Sequence, residues 1–133
     1  MRARSMALAV VAAVLSACAT TVPPAVPISD INALVGTYSG TVRESSDFNH
    51  TARLVVSPGG SFELLAGDPD GYRVSGVMIG VPDGTVIYRY DESWKLSKIH
   101  TGRATVHEGD GRRVLVMTHD DGSSTTTVSK SLP

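Results

Sequence analysis

From residue 36 onward the hydrophobic positions recur with a period of two. In residues 36–42 (GTYSGTV), Tyr38 and Val42 alternate with Thr37, Ser39 and Thr41. Ala52, Leu54 and Val56 alternate with Thr51, Arg53 and Val55, and Phe62 and Leu64 with Ser61 and Glu63. Tyr72, Val74 and Met78 alternate with Arg73 and Ser75; Val86, Tyr88 and Tyr90 alternate with Thr85, Arg89 and Asp91. This pattern marks strands with one buried face and one wet face. The stretches 98–108, 112–119 and 124–132 keep the Val- and Thr-rich composition of strands, although their alternation is blurred.

Turn signals separate these runs: SPGG at 57–60, DPDG at 68–71, PDG at 82–84, GDG at 109–111 and DDG at 120–122. Glycine supplies positive φ and aspartate tolerates it, so the short spacing predicts hairpins. Residues 29–34 predict one helical turn, capped by Ser29 or Asp30. The chain therefore predicts an all-β domain, an up-and-down antiparallel meander of about eight strands closed into a small barrel. A two-sheet β-sandwich is the alternative. The barrel is preferred because no connection is long enough for a Greek-key crossing.

Upstream of residue 36 the pattern changes. A short basic segment, residues 1–5, precedes ten consecutive apolar residues, MALAVVAAVL at 6–15. As a helix this stretch would be about 15 Å long, half of a hydrocarbon core of roughly 30 Å, so it predicts a signal-peptide core and not a membrane span. The following Leu15-Ser16-Ala17-Cys18 resembles the lipobox of bacterial lipoproteins, and Cys18 is the only cysteine in the chain. The resemblance implies a diacylglyceryl thioether on Cys18, cleavage after Ala17 and acylation (palmitate or a similar chain) of the new amino group. Two or three acyl chains hold a protein far more firmly than one. Ala19, where retained lipoproteins carry Asp, implies the outer membrane in a two-membrane organism, and in a one-membrane organism the outer leaflet of that membrane. Residues 19–28 (ATTVPPAVPI) carry three prolines and predict an extended tether. The expected organisation is a cleaved signal peptide at 1–17, a lipidated cysteine and tether at 18–29, and the barrel at 30–133.

Composition narrows the function classes. The chain is 41% hydrophobic and 19% charged, typical of a folded domain. Loss of Arg2 and Arg4 leaves ten Lys and Arg against thirteen Asp and Glu, a formal charge of −3. The remaining bases are scattered apart from Arg112-Arg113, which sets nucleic acid aside as a partner. With Cys18 acylated, no intramolecular disulfide is available. Gly36-Thr37-Tyr38 resembles the Gly-x-Trp that opens lipocalin and avidin-like barrels. In lipocalins the aromatic closes one barrel end and packs on a basic side chain of the last strand, which here would be Lys130. That resemblance implies a barrel geometry more than a shared function. Lys130 is the expected partner of the Tyr38 hydroxyl.

Candidate chemistry is sparse. His50, His100, His107 and His119 form no metal-ligand spacing. His100 and His107, seven residues apart on one strand, should face opposite sides, so all four are expected at the surface with no metal site. The turn aspartates, including Asp68, Asp70, Asp120 and Asp121, lack the ligand ladder of a calcium loop. No nucleophile elbow is present, so no catalytic residue and no cofactor is assigned, and the protein is not expected to be an enzyme. The inward aromatics, with their neighbours, could line a small pocket of Tyr38, Val74, Met78, Val86, Tyr88 and Tyr90. Trp94, outside the alternating runs, is a candidate partner contact. The expectation is a membrane-anchored, non-enzymatic binding or scaffolding module of the cell envelope, held to the membrane through Cys18 and contacting an envelope protein. A lipocalin-like carrier of one small apolar ligand is the alternative, and an enzyme of unknown type the second alternative.

Overall fold

Nine strands appear in the computed structural model, which describes residues 22–44, 49–67, 71–92 and 98–133. They are β1 (Ala25–Val26), β2 (Gly36–Glu44), β3 (Asn49–Val56), β4 (Ser61–Ala66), β5 (Tyr72–Gly80), β6 (Val86–Glu92), β7 (Lys98–Gly109), β8 (Arg112–His119) and β9 (Ser124–Ser131). Cys18, Trp94 and the turn at 68–70 lie outside the described residues. From β2 to β9 each strand pairs antiparallel with its sequence neighbour, and β2 pairs with β9. The eight strands thus close into an up-and-down barrel, and the sandwich alternative falls.

The period-two pattern sets the inner face. Tyr38, Val42, Leu54, Val56, Phe62, Leu64, Met78, Val86 and Val128 are all buried in one cluster. Each such side chain contributes about 1.5–3 kcal/mol relative to exposure. The turn between β7 and β8 is a two-residue hairpin, Gly109 opposite Arg112, with Asp110 and Gly111 at φ 53° and 73°. Positive φ at both positions matches the right-handed twist of the flanking strands. The blurred alternation of β8 has a structural cause: Val114 and Leu115, on opposite faces, are both buried.

Closing eight strands requires sharp coiling, and glycines on the inner face permit it. A Cβ on Gly40 would lie 1.9 Å from the Thr127 carbonyl oxygen, and one on Gly76 would lie 2.0 Å from that of Arg89.

One end of the barrel is shut. A 3-10 turn at Ile31–Leu34 crosses it, with Asp30 as cap accepting from the Asn32 N–H. Tyr38, fully buried, donates its hydroxyl to the Leu34 carbonyl at 2.8 Å. Lys130 sits over the Tyr38 ring, its Nζ 5.8 Å from the centroid. The packing of aromatic on terminal base is as expected, but the hydroxyl partner is not Lys130. The phenol bonds instead to Leu34, because the lysine lies against the ring face and leaves the ring edge to the 3-10 turn. Arg113 also reaches the Ala33 carbonyl and pairs with Glu108 at 2.7 Å.

The wall also takes in residues expected to form tether. β6 begins at Val86, opposite Ala104 of β7, and leaves that edge of β7 uncovered nearer the shut end. There Ala25 and Val26 pair with His107 and Val106. Prolines on either side limit this strand to two residues but do not prevent it, since Pro24 contributes a carbonyl to Glu108 N–H and Pro23 a carbonyl to His107. Ile28, buried, donates its N–H to the Gly84 carbonyl at 3.0 Å.

Candidate functional site

β2, β4, β6 and β8 run toward the end opposite the 3-10 turn and β3, β5, β7 and β9 start from it; that end is the mouth of the barrel. Just inside it, neighbouring strands present an unbroken row of polar rings. Tyr90 of β6 is opposite His100 of β7, and His119 of β8 is opposite Gly102, two residues along β7 from His100. The Tyr90 and His100 rings stack with centroids 4.8 Å apart and planes within 13°. Tyr88 lies parallel to Tyr90 at 6.3 Å, and Phe62 meets Tyr88 edge-on at 6.2 Å. Gly102 makes room for this row: a Cβ there would come within 2.2 Å of the Tyr88 ring.

The histidines form a chain that leads outward. His100 Nδ1 is 2.8 Å from His119 Nε2, and His119 Nδ1 is 2.6 Å from Asp121 Oδ1. Asp121 is the solvent end of the chain. Hydrogen bonds from Ser123, with His119 adding to them, pull its carboxyl down to about 2. Ionised, Asp121 can only accept, so His119 donates from Nδ1 and, when neutral, accepts at Nε2. His100 must then donate from Nδ1. The carboxylate fixes one tautomer and one direction for the whole chain, an assignment that follows from the hydrogen-bond network. Chemically the row offers oriented ring edges and a path for a proton between the barrel interior and water. Burial raises the Tyr88 phenol far above its ordinary range, with Tyr90, Asp120 and Asp121 adding to the shift, so it stays protonated as a donor.

Beneath the rings the described residues enclose a small cavity. A cavity of about 20 Å³ is lined by Phe62, Leu64, Tyr72, Val74, Tyr88, Tyr90, Met117, Ser124 and Thr126. That is room for one water, against roughly 300–1,000 Å³ for a pocket that encloses a small-molecule ligand. Of the residues expected to line a pocket, Val74, Tyr88 and Tyr90 do so. Met78 and Val86 are packed into the core, and Tyr38 belongs to the shut end. A larger open groove of about 590 Å³ runs outside the barrel between Pro27–Ser29 and residues 80–84.

The histidines divide in a way that the sequence reading only half anticipated. His100 faces inward and His107 outward, bonding Thr105 and the Pro23 carbonyl. His119, however, is 7% exposed and paired with His100, so the expected surface placement is corrected for these two. The signal was present: with Gly109 opposite Arg112 in a GDG hairpin, register places His119 opposite residue 102. Among the described residues no group of three or more His, Cys, Asp or Glu is placed to hold a metal, and no helix is long and apolar enough to cross a membrane. No protein-family model matches the chain, and no curated protein or solved structure matches it significantly.

Proposed function

We propose that the protein is a lipid-anchored, non-enzymatic binding or scaffolding module of the bacterial cell envelope, recognising its partner at the mouth of the barrel. The observation that carries this reading is the contrast between interior and rim. The cavity lined by Phe62, Val74, Tyr88, Tyr90 and Met117 holds about 20 Å³, whereas the mouth presents His100, His119 and Asp121 in one hydrogen-bonded chain with Tyr90 stacked on His100. A carrier needs volume, while a docking module needs a rigid rim with directed donors and acceptors. The lipobox-like Leu15-Ser16-Ala17-Cys18 after an apolar decapeptide supports the anchor.

Two measurements test it together. An apolar fluorescent probe should show no saturable one-to-one uptake by the purified protein. A photo-crosslinker at Asp121 should give one discrete adduct in intact envelopes, and a crosslinker at Thr41 on the outer wall should not. Saturable probe uptake would replace the reading with the apolar-carrier alternative. Adducts equal at both positions would remove the mouth as the recognition site.

A further inference from the structure

The outer wall of the barrel has two different sides. On β2 and β9 the outward residues, Arg43 apart, are hydroxyls, among them Thr37, Ser39, Thr41, Thr125, Thr127 and Ser129. On β5, β6 and β7 aliphatic and basic side chains stand among the hydroxyls Ser75, Thr101 and Thr105. Ile79 is 58% exposed and Val77 is 44% exposed, although both are large apolar side chains. Register groups them: Ile79 is directly opposite Ile87, Val77 is opposite Arg89, and Ile87 is opposite Arg103. The acids near this side are Glu63 of β4, paired with Arg73 at 3.7 Å, Asp83 in the β5–β6 turn, close to Arg103, and Asp91, two residues from Arg89 toward the mouth. Apolar side chains framed by guanidinium groups suit a surface that offers acyl boundary and phosphate together.

The path of the chain brings that surface to this side. β1 pairs with β7 on the edge that β6 occupies nearer the mouth, so the N-terminal segment enters beside the Ile87 and Arg103 positions. Val22, the first described residue, is exposed, and Pro23 packs by Gly109 at the shut end. Val22 is four residue steps from Cys18, and an extended chain spans at most about 3.6 Å per step, so connectivity holds the two within about 14 Å. An anchor at Cys18 thus puts the bilayer next to the lower part of β5–β7 and keeps the mouth, nine residues up β7 from Gly109 at His100, at the far end.

We propose that the outer face of β5–β7, through Val77, Ile79, Ile87, Arg89 and Arg103, lies on the anionic lipid surface of the membrane that holds the Cys18 anchor. The proposal rests on the lipid-anchor reading given above. A lipid chain and a basic-apolar face are two weak signals that together give firm attachment, and the second depends on salt.

The test uses the full chain, expressed so that it is processed and acylated, then reconstituted into vesicles of phosphatidylcholine with or without phosphatidylglycerol. With Cys18 occupied by lipid, Ile79→Cys and Thr41→Cys each offer one site for a spin label, and the mass of the same sample reports acylation. The label at 79 should lose accessibility to a water-soluble nickel chelate several-fold on anionic vesicles, and regain it in high salt. The label at 41 should not change. Arg89→Glu with Arg103→Glu, in the Ile79→Cys background, should abolish the shielding while acylation persists. Acylated protein whose labels at 79 and 41 are equally accessible would overturn the proposal and leave the anchor intact. Shielding that appears without anionic lipid and grows with protein concentration would overturn it in favour of self-association. An unacylated Cys18 would remove the anchor reading and this proposal with it.

Discussion

Tyr38 bonds to the 3-10 turn through its hydroxyl while its ring supports Lys130, so its ring and its hydroxyl can be tested separately. Tyr38→Ala should cost about 3–5 kcal/mol through the cavity it leaves, which is a large part of the stability of a small domain. Tyr38→Phe keeps the ring and should cost about 1–2 kcal/mol, chiefly by leaving the Leu34 carbonyl without its donor. Thermal unfolding of the two variants separates these contributions. The same burial raises the Tyr38 phenol above its ordinary 10.0, against the opposing pull of Arg113. A raised folded value means that the native state holds its proton more tightly than the unfolded chain does. Stability is therefore fully present below pH 10 and declines as pH rises through the folded values of Tyr38 and Tyr88. Denaturant midpoints measured between neutral pH and pH 11 should fall only in the upper part of that range. At the mouth, Asp121→Asn replaces the acceptor-only carboxylate that fixes His119 as its Nδ1–H form by an amide that can accept or donate. Ring-nitrogen NMR should find that tautomer dominant in the wild type and a mixture in the variant. A wild type already mixed would break the directed chain from His100 to solvent.

Most strands were legible because each needs only local information: alternation for the faces and Gly-Asp turns for the ends. The inward positions Tyr38, Phe62, Val74, Val86 and Tyr88 follow from parity alone and are buried. Tyr72, also inward by parity, is 39% exposed because it is the first residue of β5, at the rim. What local pattern could not give was anything fixed by pairing. β1 has two residues between prolines and no alternation to read; it forms because β6 is too short to cover the end of β7. Arg113 was hidden in the blurred Arg112–His119 stretch, where buried Val114 and Leu115 obscure which side faces in. The His100–His119 contact needed the hairpin register, which the turn sequence implies but alternation does not. The glycines test the closure argument at this level. Gly102→Ala would drive a methyl into the Tyr88 ring and toward the Thr118 carbonyl, and should cost about 1–3 kcal/mol or more. Gly80→Ala meets nothing within 4 Å and should be neutral or slightly stabilising. Equal melting temperatures for the two variants would mean that the row of rings does not depend on close packing over Gly102.

The whole molecule is polarised along its axis and around its wall. The shut end gathers the 3-10 turn, Tyr38, Arg113, Lys130 and the incoming N-terminal segment. The mouth gathers the tyrosines and the histidine pair. Such a barrel is suited to present its mouth at a distance from whatever holds its other end. Anchoring is the part of the account on which both the function and the membrane-facing wall depend. Its most direct measurement is intact-mass and fragment analysis of the protein extracted from the membrane fraction. Lipid anchoring predicts a chain that begins at Cys18, carries two or three acyl chains on that residue and lacks residues 1–17. A chain recovered with an unmodified Cys18, or cleaved at another position, would contradict it.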